Sequence, residues 1–345
     1  MGKLVIHAGF AKAGSTTVQG ALMRNMKALC ASSIYVFDAD LQLSLDGEWR
    51  GLPPWALEVM RRTGGLYEKI VGQVKECEGV IVLSAENLGT ERFPEFFKNM
   101  DSEIEVEFIC YFRPYHSVIP SSWQQWGTKT GTPLADYVEN CISTGEPAYR
   151  RSLEAWREAL PRSRISVIPF VGPAMRGGNP ASDFLSRLGF PAEHERHAHS
   201  NASYDYALMD LFCREADQLF FERRVHPATR LKQLLPPEYC KTNALIISRE
   251  WAERIERRFR ADTLFILRNF SDIDDVEEFY KAHFMPEESE GHALIDMESR
   301  DVLARAFVIL MDVLGEDEMS RVLGEALAAH LKRNSGEWIP RPTGA

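Results

Sequence analysis

Residues 4–22, LVIHAGFAKAGSTTVQGAL, constrain the fold more than any other stretch of the chain. Leu4, Val5 and Ile6 form the short apolar run of a buried strand. Gly9 and Gly14 then punctuate a turn, and Val18, Ala21 and Leu22 recur at helical spacing beyond it. A strand, a glycine-rich turn and a helix start, in that order, make a cradle for an anion. The first N–H groups of a helix have no intrahelical partner, and the helix dipole favours negative charge beside them. Each such dipole contact contributes only about 0.3–1 kcal/mol. A multiply charged ligand therefore also needs full positive charges, and Lys12 stands inside the turn to supply one.

Further apolar runs at residues 80–83, 106–112 and 164–170 read as strands, and residues 33–38 as a short strand or an extended connection. Helical spacing recurs at 67–77, 93–100, 115–126, 133–142, 149–160 and 181–188, with a shorter helix opened by Pro53 and Pro54. Strands that alternate with helices imply βαβ units and a parallel sheet. In such sheets ligands bind outside the carboxyl ends of the strands. The turn at Gly9, the segment after Leu83 and Arg113 all fall at those ends. Beyond residue 203 only helical spacing is seen, at 204–221, 248–269, 276–283 and 299–332. The expected architecture is α/β: a parallel sheet flanked by helices over residues 1–210, with a helical C-terminal extension, 211–345, packed on it.

Composition bounds the partners. The 345 residues are 45% hydrophobic and 26% charged, which suits a globular chain with a sizeable core. A formal net charge of −10 argues against broad binding to nucleic acid or to an anionic membrane. No stretch approaches the roughly 18 apolar residues of a membrane span. The first apolar run is too short for a signal peptide and is needed as a strand. Six cysteines without a CxxC pair read as reduced, packed thiols, and hence as a cytoplasmic protein.

The turn's spacing carries more. A Walker A loop places Lys directly after its second Gly. Here the order is G-x-x-K-x-G-S-T, with Lys12 two residues before Gly14. A second constellation begins at Arg113, where a strand ends and a helix starts. An arginine there can hold a phosphate bidentately, and Ser121, eight residues on, can return to the same oxygens. Glu86 follows the strand at 80–83, and His7 directly precedes the turn, so either could take a proton. His116 is a further imidazole beside Arg113. His194, His197 and His199, with Glu193 and Glu195, lack the spacing of a helical zinc motif and read as a solvated loop. The arginines of residues 249–260 read as a solvated helix face.

The string HxGxxKxGST, followed by Thr17 and Gln19, resembles the 5′-phosphosulfate loop of sulfotransferases that use 3′-phosphoadenosine 5′-phosphosulfate (PAPS), in its bacterial and carbohydrate-directed form. The Arg113…Ser121 spacing is similar to that family's 3′-phosphate motif. The likeness extends over about residues 3–210, and the adenine-side R-K-G-x-x-G motif of cytosolic members is absent. The resemblance implies a P-loop-like sheet, PAPS as co-substrate, no metal, and transfer of a sulfuryl group to a hydroxyl of a carbohydrate or other small acceptor. It implies that Lys12 stands over the bridging oxygen. Ala13, Gly14, Ser15, Thr16 and Thr17 would hold the 5′-phosphate, Arg113 and Ser121 the 3′-phosphate. Glu86 or His7 would be the base. Gln124–Trp126 and residues 129–131 would border the acceptor. A P-loop kinase or NTPase is the rival reading. It needs Lys next to Ser or Thr and an Asp ending the second strand, where this chain has Ala13-Gly14-Ser15 and Ser84. A non-catalytic nucleotide-binding module is the other.

Overall fold

The computed structural model describes residues 2–44, 64–191, 206–214, 247–285 and 295. In chain order the regular elements are β1 (Lys3–Ala8), α1 (Ser15–Ala31), β2 (Ile34–Val36), α2 (Leu66–Glu76), β3 (Val80–Ala85), β4 (Glu105–Phe112), α3 (Tyr115–Trp123), α4 (Gly127–Thr130), α5 (Leu134–Thr144), α6 (Tyr149–Ala159), β5 (Arg164–Pro169), α7 (Pro180–Arg187), α8 (Tyr206–Arg214), α9 (Arg249–Phe270) and α10 (Val276–His283). The expected helices at 299–332 and after Pro53, the histidine cluster at 194–199 and Cys240 lie outside the described residues.

The chain falls into two compact units. The first comprises Met1–Trp123, Leu134–Asn201 and Ile247–Glu290, so α9 and α10 belong with the sheet. The second comprises Gln124–Pro133, Ala202–Ile246 and Gly291–Ala345. Within it, the Cys213 thiol of α8 reaches the Thr132 carbonyl at 3.1 Å, and Lys129 lies 4.4 Å from the centre of the half-exposed Trp126 ring.

The sheet of the first unit is five-stranded and all parallel, in the order β2-β3-β1-β4-β5. Its central strands are nearly continuous apolar runs because both faces are covered. The alternation of side chains assigns the two faces. His7 and Tyr111 turn toward Phe184 of α7, and α7 packs against α1. Phe108 and Phe112 turn the other way, toward Trp156 and Tyr149 of α6. Trp156 is fully buried; its ring lies 4.7 Å from that of Phe108, and its indole N–H donates to the Leu88 carbonyl at 2.9 Å. Helix α9 covers α3, α6 and β5 on that side.

The connection from β1 runs out to β2, and that from β4 runs the opposite way to β5. With right-handed crossovers this opens a crevice at the carboxyl ends of β1 and β4, the switch point of the sheet. Register sets its depth. Ala8 pairs with Ala85 on one side and Cys110 on the other, so β4 runs two residues further before Arg113.

One local expectation changes. Residues 93–100 do not form an α-helix but two 3₁₀ turns, Pro94–Phe97 and Met100–Ser102. Asn99 sits between them with φ 60, a left-handed conformation that ends any helix. The 249–260 arginines are exposed, as expected of a solvated helix face; on that surface Arg254 pairs with Glu139, and Arg258 donates to the Ile142 carbonyl at 3.1 Å.

One buried charge ties α7 to β4. The Asp183 carboxylate is fully buried and accepts from the Tyr111 hydroxyl at 2.8 Å, the Arg176 amide at 2.9 Å and Arg187 Nε at 2.7 Å. Removing one partner of such a group strands the other, at a cost of about 3–5 kcal/mol. Asp183→Ala should therefore lose about that much in a urea-unfolding measurement, and a loss below about 1 kcal/mol would show that Arg187 finds water instead.

Candidate functional site

The turn is built on close approaches. A Cβ on Gly9 would lie 2.8 Å from both Glu86 Cα and Ser15 Cβ, so only glycine lets the end of β3 and the start of α1 meet there. Gly14 has φ +84, and a Cβ on it would lie 2.7 Å from the Phe170 ring and 2.9 Å from Pro180. Phe10 is buried against Tyr149, with ring centres 4.5 Å apart, and anchors the turn to α6. Gly9 N–H donates to Ala85 at 3.1 Å and Ala13 N–H to Phe10 at 3.2 Å.

Gly14 is the N-cap of α1, without a side-chain cap and without an acidic residue in the first turn. Its carbonyl receives the Thr17 and Val18 amides at 2.9 and 3.0 Å. The amides of Ser15 and Thr16 precede the first intrahelical bond, at the positive end of the dipole. Ser15 is buried and Thr16 exposed, with Thr17 between.

Lys12 has φ 58, an uncommon left-handed value for a residue with a side chain. Such a conformation costs on the order of 1–3 kcal/mol and persists where the surroundings hold it. Here Arg113 Nη1 donates to the Lys12 carbonyl at 3.3 Å, across the crevice between β1 and β4. The glycine turn and the arginine singled out in the sequence therefore meet at the carboxyl ends of β1 and β4. Arg113 Nε donates to Ser117 Oγ at 2.8 Å. Ser121 lies one turn further along α3, on the same helical face as Ser117. Among the described residues Ser121 makes no side-chain hydrogen bond, so the contact to Arg113 belongs to Ser117.

Glu86 follows β3 and is partly buried. Burial raises its carboxyl above the ordinary value, and the Lys12 ammonium pulls it partly back. Lys12 and Glu86 thus share one electrostatic environment beside the turn.

His7 is placed differently. It is a core residue of β1, 1% exposed, between Phe184 and Tyr111. Nδ1 is bonded to Ser84 Oγ at 2.8 Å, and Nε2 has no partner among the described residues. Burial lowers its pKa to about 3. A group so enclosed cannot reach a substrate hydroxyl without opening the packing between the sheet and α7. His116 is also committed: Nδ1 meets Glu256 Oε1 at 2.8 Å.

Sequence reasoning missed Ser117 and Tyr149. Ser117 carries a signal, being one helical turn after Arg113. Tyr149 carries none; burial raises its hydroxyl, the Arg113 charge opposes that, and the hydroxyl has no partner among the described residues.

No known protein family and no curated protein matches the chain. Among the described residues no group of three or more His, Cys, Asp or Glu is placed to hold a metal ion, and no helix is long and apolar enough to cross a membrane. Among the described residues Cys30, Cys77, Cys110, Cys141 and Cys213 are not joined in disulfides.

The depressed His7 pKa has a sign that can be checked. The unfolded chain binds this proton from about pH 6.5 downward, whereas the folded chain resists it until about 3. Stability is therefore lost as pH falls below 6.5, by about 1.4 kcal/mol per pH unit for this one group. A His7→Leu variant should show a shallower decline than the parent between pH 6.5 and 5. Parallel slopes would mean that His7 titrates normally.

Proposed function

We propose that the protein is a sulfotransferase that moves the sulfuryl group of PAPS to a hydroxyl of a carbohydrate or small hydroxylated acceptor, on a P-loop-like α/β fold. The observation that carries this reading is the meeting of two anion-binding elements over the β1–β4 crevice: the uncapped start of α1 with Lys12, and Arg113, whose Nη1 lies 3.3 Å from the Lys12 carbonyl. Two anchors on one edge suit one nucleotide that carries phosphate at both ends.

The residues fit such a co-substrate. The turn has no side chain at Gly9 or Gly14 to obstruct it, and α1 has no carboxylate of its own at its start. The amides of Gly14, Ser15 and Thr16 and the hydroxyls of Ser15, Thr16 and Thr17 would hold the 5′-phosphate. Arg113 would hold the 3′-phosphate, with Ser121 on the same face of α3. PAPS supplies an activated sulfuryl group on a phosphate leaving group. The protein's part is then positioning and electrostatic stabilisation. Lys12 would neutralise the charge that grows on the bridging oxygen. Glu86 would accept the acceptor proton; its burial makes it a stronger base than a solvated carboxylate. His7, neutral and enclosed, would keep the end of β1 in register with Ser84 rather than act on substrate.

Turnover with labelled PAPS across a panel of hydroxylated acceptors tests the reading. Lys12→Ala should lower transfer about 10²-fold or more, the scale of losing one oxyanion-type contact. Glu86→Gln should lower kcat about 10²–10⁴-fold with nucleotide affinity kept. In the wild type, kcat/KM should rise with pH through a midpoint above the ordinary carboxylate value, because only the ionised form accepts a proton and burial raises its pKa. Full activity of Lys12→Ala, or phosphoryl transfer from ATP with Mg²⁺ in place of sulfuryl transfer, would refute it.

A further inference from the structure

We infer that Ser117 is the positioning residue of the arginine anchor: it fixes the direction in which Arg113 meets an anion. The inference rests on the nucleotide reading above and adds a residue that the spacing from Arg113 to Ser121 does not include.

The argument starts from the guanidinium. Its five donors lie in one rigid plane, so fixing one edge fixes the direction of the rest. The Nε–H of Arg113 is held by Ser117 Oγ at 2.8 Å, and Nη1 points to the Lys12 carbonyl at 3.3 Å. With Nε committed to the serine, the terminal Nη end is turned toward the 9–17 turn. A phosphate at the crevice is then met by that end. Without the serine the guanidinium can turn about its long side chain, and an anion must fix it at an entropic cost.

Ser117 can impose this direction because its own helix start is fixed. Ser117 and Val118 amides both donate to the Pro114 carbonyl, at 3.0 and 2.9 Å. The preceding residue is held from another element. The His116 amide and Nδ1 meet Glu256 Oε1 of α9 at 3.2 and 2.8 Å, and the Tyr280 hydroxyl of α10 donates to Glu256 Oε2 at 3.2 Å. Glu256 is 2% exposed. The ring of Tyr115, fully buried, is stacked on Phe259 of α9 at 4.1 Å. The first turn of α3 is thus clamped on one side by α9 and α10 and offers Ser117 Oγ to Arg113 on the other. A hydrogen bond that orients a charged group in this way is worth about tenfold or more in affinity.

The test is calorimetric titration of the full chain and of Ser117→Ala and Ser117→Thr with two probes, 3′-phosphoadenosine 5′-phosphate and 5′-AMP, with thermal unfolding of each variant in parallel. Ser117→Ala should weaken the 3′-phosphorylated probe about tenfold and 5′-AMP by at most about threefold, and Ser117→Thr should recover most of the loss. Unchanged affinity for the 3′-phosphorylated probe overturns the inference. So does equal weakening of both probes, which a general loosening of α3 would produce, or failure of threonine to restore binding in a folded variant. A wild type that binds both probes equally shows instead that the nucleotide reading itself is wrong, and the inference falls with it.

Discussion

The contact between the Arg113 guanidinium and the Lys12 carbonyl joins what would otherwise be two unrelated loops. It exists because β1 and β4 are neighbours whose outgoing connections run in opposite directions. That arrangement leaves their carboxyl ends uncovered together, and β4 runs far enough past Ala8 to carry an arginine over the crevice. The contact also gives Lys12 a reason for its left-handed backbone: turned that way, its carbonyl meets a positive charge. Local strain is offset by an interaction with another strand end, the condition under which such strain persists.

Around that contact the surroundings are built for rigidity. Gly9 and Gly14 sit where a Cβ would collide with Glu86, Ser15, Phe170 or Pro180, so the turn is closely packed at both glycines. Phe10 and Tyr149 close it from α6, and Asp183 locks α7, which carries Pro180, to Tyr111 of β4. Charge is distributed unevenly over this frame. Lys12, Arg113 and the start of α1 are positive, while Glu86 is an acidic group whose ionisation feels Lys12. In the proposed reaction that division separates the anion-holding side from the proton-accepting side.

Much of this was legible from pattern. Continuous apolar runs at β1, β3, β4 and β5 announced a sheet buried on both faces, and the glycine spacing after β1 announced the turn. The convergence of Gly9, Glu86 and Arg113 followed from the rule that ligands sit at carboxyl ends. What pattern could not supply was direction. His7 and Gly9 are two residues apart, yet the His7 side chain packs between the sheet and α7 beside Phe184, while Gly9 lies in the turn; alternation says they share a face only while the strand lasts, and the strand ends at Ala8. Ser117 and Ser121 share a helical face, so spacing could not tell which one meets Arg113; the short reach of Nε decided it. The stretch at 93–100 kept a helical period but is broken by Asn99, whose left-handed backbone no periodicity reports.

A crystal structure with 3′-phosphoadenosine 5′-phosphate bound is the most direct test of the central claim, that one nucleotide bridges both anchors. The account predicts the 5′-phosphate on the amides at the start of α1, within hydrogen-bond distance of Gly14–Thr17, and the 3′-phosphate against the Nη end of Arg113. A nucleotide seated elsewhere, or one that engages the turn while its 3′-phosphate faces away from Arg113, would contradict it.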